Sequence, residues 1–224
     1  MCLTTTKRRI WHFDYLIQRL LEETVLRGLD TELSQGAGRF RMLDIGCGHG
    51  AWKESLLAYA SEYVGVDVRE GPNVSIVANV ESLPVADCSF DTVICIMVLE
   101  HVRDYRKAIA EMYRVLKPKG LMILATHGTW AIHGEPNDFW RWTPYGLREI
   151  LSTYTSCRTE QVGSPLANLV MVLNLYIQRW QEKHASFRWM LSPVIMAINA
   201  LGLLFSRSAS PATLAPVYVA FARK

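Results

Sequence analysis

The chain has little of what would settle its class at a glance. Its net charge is only +3, from 24 Lys and Arg against 21 Asp and Glu in 224 residues. With no basic stripe, that balance argues against a nucleic-acid partner and permits at most weak attraction to anionic lipid. The 5 cysteines (Cys2, Cys47, Cys88, Cys95, Cys157) are scattered and form no Cys-x-x-Cys pair, which reads as reduced thiols rather than a disulfide framework. No His-Glu-x-x-His or comparable ligand spacing occurs, so no catalytic metal is expected. The basic residues of Met1 to Arg9 are followed by no apolar leader core, so no signal peptide and a cytoplasmic location are expected.

What is present is concentrated in Met42-Leu43-Asp44-Ile45-Gly46-Cys47-Gly48-His49-Gly50. An apolar run ends in an acid and then in glycines at every second position. This suits a buried strand turning sharply into a helix, about 50–60, with backbone close to a ligand. Free N–H groups at such a helix start favour a polar or anionic ligand group. Gly46, Gly48 and Ala51, with Asp67 downstream, formally satisfy the dinucleotide fingerprint. Asp44 argues against a dinucleotide. A carboxylate in that buried strand is costly unless satisfied, and it makes sense beside a cationic ligand end such as an amino group.

Around this loop, apolar stretches and amphipathic ones alternate. Helical spacing from Ile10 to about Leu29 predicts an N-terminal helix within a leading segment, 1–38. Strands are expected at about 40–45, 62–67, 73–78, 91–97 and 120–126, each buried on both sides, with helices near 104–116 and 143–153. Thr143-Pro144 reads as the cap and first residue of the last of these. Pro216 to Arg223 reads as a closing strand. The alternation implies βαβ crossovers and a Rossmann-like, doubly wound, mostly parallel sheet. The length suits a single domain, 1–224.

Four blocks in order then carry a family resemblance: Asp44 to Gly50, Val64-Gly65-Val66-Asp67, Asn79 to Pro84 with Ser89 to Val93, and Val115 to Leu121. Together they resemble the class I S-adenosylmethionine-dependent methyltransferases from about Arg41 to Lys224. The resemblance implies seven strands with an antiparallel last strand, and S-adenosylmethionine as cofactor. It places Asp44, Gly46, Cys47 and Gly48 in the cofactor loop and Asp67 on the ribose hydroxyls. Asn79 and Val80 fall on the adenine side, with Ile96 and His101 elsewhere in the cofactor pocket. The family usually has an acid where Asn79 stands, so weaker adenine affinity is expected. Ile96-Met97-Val98-Leu99 stands where amino-methylating enzymes of nucleic acids carry an Asn/Asp-Pro-Pro-aromatic run.

The stretch from His127 to Thr143 holds two histidines, two acids, an arginine and three tryptophans. His133, Pro136, Asp138, Phe139, Trp140, Arg141, Trp142 and Thr143 match a signature found in a subset of bacterial methyltransferases that often accompany glycan or lipid-linked polymer synthesis. His133 is the candidate general base for a hydroxyl acceptor, with His101 as an alternative. His127, Asp138 and Arg141 are candidate acceptor contacts. Asp138 and Arg141 read equally well as a local ion pair fixing the turn, and the tryptophans as packing. A small-molecule, glycan or lipid-linked acceptor is expected. A nicotinamide oxidoreductase or a non-catalytic binder on the same scaffold are the alternatives.

Two uncharged stretches, Gln161 to Gln178 and Trp189 to Ser206, lie between the sixth and last expected strands and carry a helical insertion over 164–208. Three readings stay open. The pair forms a cap or homodimer face, it touches the inner surface of the cell membrane through flanking Arg179, Lys183, Arg188 and Arg207, or it spans the membrane.

Overall fold

The computed structural model describes residues 9–33, 39–184, 188–206 and 214–224, with the side chains of 188–189 left aside. The leader reading at Met1 to Arg8, Cys2 and the Arg207 flank therefore lie outside the described residues, as does the Arg188 side chain.

Seven strands form one sheet: β1 (Phe40–Ile45), β2 (Ala60–Asp67), β3 (Ile76–Val77), β4 (Phe90–Ile96), β5 (Leu116–His127), β6 (Ser156–Gln161) and β7 (Val217–Arg223). Their order is β3-β2-β1-β4-β5-β7-β6. The first five pair in parallel, and β7 runs antiparallel to both β5 and β6. Six helices cover it: α1 (Tyr15–Leu33), α2 (Lys53–Leu56), α3 (Tyr105–Val115), α4 (Pro144–Ile150), α5 (Pro165–Lys183) and α6 (Arg188–Phe205).

The period-2 alternation of each strand divides the apolar side chains between two faces. On β4, Val93 and Cys95 join a core with α3 and α4, while Ile94 and Ile96 join a second core with α1. On β5, Met122 and Leu124 go to the first and Leu121, Ile123 and Ala125 to the second. Burial on both faces is why these strands read as near-continuous apolar runs. The order in which strands are added reverses between the parallel neighbours β1 and β4, so the crossovers diverge and leave a crevice at their carboxyl ends.

Some expected elements come out differently. The helix after the glycine loop is only the four-residue α2, flanked by turns, because three positive-φ glycines hold its first residues outside helical geometry. Strand β3 is a two-residue bridge at the sheet edge with one exposed residue, not a run buried on both sides. The first helix begins at Tyr15, with turns before it. Caps follow their chemistry: Thr143 accepts from the Gly146 N–H at 3.0 Å and Ser164 from that of Ala167 at 3.1 Å, each just before a proline.

Candidate active site

The crevice is a cleft of about 840 Å³. Its floor is the β1 loop. Gly46 and Gly48 have φ of +71° and +52°, in the left-handed region that glycine adopts freely. The two differ in what faces them. A Cβ on Gly46 would overlap the Val98 side chain, whereas a Cβ on Gly48 would meet nothing within 4 Å. Gly46 is thus fixed by packing, and only Gly48 leaves open ligand space.

Asp67, at the end of β2, lines the cleft. It accepts the Gly48 N–H at 2.9 Å and the Arg69 N–H at 3.1 Å, so the carboxylate ties β2 to the glycine loop. Cys47 also lines the cleft, with burial pushing its thiol up to about 12. Asn79, Val80, Ile96 and His101 complete the sequence-derived set on the wall. The Asn79 side-chain oxygen accepts the Glu81 N–H at 3.0 Å, which turns its amide NH2 group, a pair of donors, away from that bond.

Asp44 lies one layer deeper. It is 2% exposed and takes the Tyr63 hydroxyl at 2.6 Å. Burial pushes its carboxyl up to about 7, against the lowering by Tyr63 and with a further rise from Asp67. Among the described residues it does not line the cleft.

The loop after β5 closes the other side. Asp138 and Arg141 form a two-point pair at 2.5 and 2.7 Å. Asp138 also accepts the His133 N–H at 2.8 Å, and Arg141 donates to the carbonyls of Ala131 and Trp140 at 3.0 and 2.8 Å. The guanidinium holds the Asp138 carboxyl well below the usual range. These contacts staple residues 130–141 into one shape, and neither side chain lines the cleft.

His133 is half-buried behind that wall, its ring 4.8 Å edge-on from both His101 and His127. Its Nδ1 meets the Ala131 carbonyl at 3.2 Å, and burial lowers its pKa. His127, at the end of β5, stacks on Trp130 at 5.3 Å and is pushed down to about 3 by burial. Of these three histidines only His101 lines the cleft. Its Nδ1 stands 2.5 Å from the Asn137 carbonyl, which can only accept, so Nδ1 carries a hydrogen.

Several participants escaped the sequence reading. Tyr63 carried no motif, although a phenol two residues before Gly65 on the neighbouring strand was a signal for the partner of Asp44. Glu100 is wholly buried; its Oε2 accepts the Thr126 hydroxyl at 2.8 Å, and burial pushes its carboxyl up. Glu100, His127 and His133 bring ligand atoms within 4.8 Å of one another. Glu100 comes from a separate segment, so the missing ligand spacing in the sequence does not carry over to the fold.

Comparison with known proteins agrees with this geometry. Residues 43–124 match the family described as a methyltransferase domain. The uncharacterized methyltransferase YcgJ of Bacillus subtilis is 34% identical over 128 residues, 50% of this chain and 51% of that one. A ubiquinone biosynthesis O-methyltransferase of Ruegeria pomeroyi is 31% identical over 160 residues, 61% of each chain. The chain thus spans about half to three fifths of these relatives' length. The crystal structure of the Burkholderia thailandensis 1,6-didemethyltoxoflavin-N1-methyltransferase, with S-adenosylhomocysteine bound, superposes with a TM-score of 0.59 at 16% identity, over 91% of this chain and 77% of that one. That likeness is one of fold. Four sequence blocks, the strand order and the matched segment agree: residues 43–124 match a methyltransferase domain, on a sheet like that of solved methyltransferases.

Proposed function

We propose that this protein transfers the methyl group of S-adenosylmethionine to a small-molecule, glycan or lipid-linked acceptor by direct in-line displacement. The observation that carries the reading is the cleft at the β1–β4 crevice, with open space above Gly48 and the Asp67 carboxylate at its edge. The residues fit that cofactor: a carboxylate for ribose hydroxyls and a loop free of side chains at Gly48. When bound, the cofactor supplies an activated methyl group, so alignment of the acceptor accounts for much of the acceleration. The acceptor's proton needs somewhere to go. His101, on the cleft wall with its Nδ1 tied to the Asn137 carbonyl, supports a hydroxyl acceptor and takes the base role in place of His133.

The helices α5 and α6 support an apolar acceptor or surface beside the cleft. Arg179 of α5 reaches the Ile132 carbonyl of the acceptor-side loop at 3.4 Å. Leu166, Leu169, Leu173, Tyr176 and Trp180 form an exposed stripe along α5. In this reading the stripe meets the inner membrane surface, with a homodimer as the competing occupant.

Calorimetry tests the cofactor. S-adenosylhomocysteine should bind in the micromolar range or better, and NAD should not. NAD binding with no response to S-adenosylhomocysteine would overturn the reading in favour of an oxidoreductase.

A further inference from the structure

Behind the acceptor-side wall, three side chains have no part in the reaction described above. The Glu100 Oε1 atom is fully buried and accepts no hydrogen bond among the described residues. Buried carboxylate oxygens are rarely left so, and each such orphan calls for a partner. The nearest ring nitrogen, His127 Nε2, stands 3.6 Å away. That is long for a hydrogen bond. It is close to the ~3.4 Å that separates two donors held ~2.1 Å from one tetrahedral ion.

The third member is His133, whose ligand atom lies within 4.8 Å of the other two, so it must move by about an ångström to share an ion at that bond length. It sits on the loop, half-buried, where such a movement is easiest. Both imidazoles already have the outer contacts that ligating histidines use. His127 Nδ1 faces the Pro216 carbonyl at 3.4 Å, and His133 Nδ1 faces the Ala131 carbonyl at 3.2 Å with the Asp138 carboxylate at 3.5 Å. In each ring Nε2 remains for a ligand. The nearby Arg141 charge is matched by Asp138.

We propose that Glu100, His127 and His133 bind one divalent transition-metal ion of the zinc, cobalt or iron(II) class. Two imidazoles and one carboxylate suit such borderline ions, whereas magnesium and calcium prefer all-oxygen sets. Three protein ligands leave coordination positions open. The role of the ion rests on the methyl-transfer reading: behind the wall that His101 presents to the cleft, it would pin the acceptor-side loop at His133 to the end of β5 and so fix the shape of that wall. Binding of the ion itself does not depend on that reading.

The test uses the full chain, stripped with a chelator and titrated with Co2+, reading visible d–d absorption and metal content. One Co2+ per chain with a four- or five-coordinate spectrum is expected. His133→Ala, a loop substitution, should weaken uptake at least tenfold while S-adenosylhomocysteine binding stays at the wild-type level, showing that the fold persists. Glu100→Gln should weaken it similarly. No Co2+ or Zn2+ uptake by the wild type, or uptake unchanged in both variants, overturns the site. Uptake that persists in a protein failing to bind S-adenosylhomocysteine leaves the site standing and removes the methyl-transfer reading instead.

Discussion

Asp44 is where burial and charge conflict most directly. Its carboxyl is pushed up to about 7, so the folded chain holds a proton there that the unfolded chain releases near pH 4. The fold then binds more protons than the unfolded state across that interval, and stability must fall as pH rises from about 4 to about 7. Asp44→Asn keeps an acceptor for Tyr63 and removes the titration. Without ligand, the variant should show a flatter stability–pH curve and be more stable than wild type at pH 8 by a few kcal/mol, since each tenfold change in proton affinity is worth ~1.4 kcal/mol. Chemical denaturation across pH measures this, and identical curves would remove the buried-carboxylate account. At Asp67 the chemistry points outward. Asp67→Ala should weaken S-adenosylhomocysteine binding by about 2–3 kcal/mol, because it removes both a charge-assisted hydrogen bond to the ribose and an anchor of the loop. Equal affinities in calorimetry would place the ribose elsewhere. Gly48→Val puts a branched side chain into open ligand space at a left-handed φ. It should abolish cofactor binding in a protein that retains its cooperative thermal transition; loss of that transition as well would mean the glycine serves the fold.

The helical pair before β7 is held by polar contacts as well as by the apolar packing of Ala167, Met171 and Leu203. Asn199 of α6 is fully buried; it donates to the carbonyls of Ile10 at 2.6 Å and His12 at 2.9 Å, and accepts from Asn174 of α5 at 2.8 Å. One amide therefore joins α5, α6 and the segment before α1. Asn199→Ala would leave a buried Asn174 amide and the Ile10 carbonyl short of partners, while the His12 carbonyl keeps the Tyr15 N–H, at about 1–3 kcal/mol per unsatisfied group. A fall in melting temperature with cofactor affinity unchanged is expected, and a wild-type melting curve would mean that the amide is dispensable. The Asp138–Arg141 pair acts at the same scale on the loop. The two readings offered for it, acceptor contact and turn clamp, separate in the geometry: both side chains are spent on loop backbone and on each other.

Across the whole molecule the ordinary distribution of polarity is inverted on one flank. Asn168, Asn174 and Gln181 of α5 are buried, while Leu169, Tyr176 and, on α6, Leu204 stand 63%, 69% and 77% exposed. Exposed apolar side chains of this kind are what motivates the proposed contact face. No described helix is long and apolar enough to cross a membrane, so the spanning alternative is overturned. Surface contact and dimerisation make different predictions. If the face meets a membrane, anionic vesicles should bind the chain and release it as salt screens the Arg179 and Lys183 charges. Leu173→Ser with Leu204→Ser should weaken that binding and leave cofactor affinity alone. A dimer that the same substitutions dissociate, with no vesicle binding at low salt, would assign the face to a second copy.

The sequence alone determined the parts governed by local chemistry. The Asp44 to Gly50 loop, the doubly wound alternation, the Thr143-Pro144 start of α4 and Asp67 at a strand end each follow from spacing and residue type, and each is found in the fold. Tertiary structure decided what depends on juxtaposition. Nothing local told that Val98 fills the space over Gly46, that Tyr63 satisfies Asp44, or that His101 and not His133 faces the cleft. Nor could spacing show Glu100 converging with His127 and His133, since it sits after β4 while they share the stretch from the end of β5, and only sheet order and loop closure bring their ligand atoms within reach. Periodicity and caps act over one turn or one strand, whereas a site is built from strand ends, and their neighbours are set by which faces bury together.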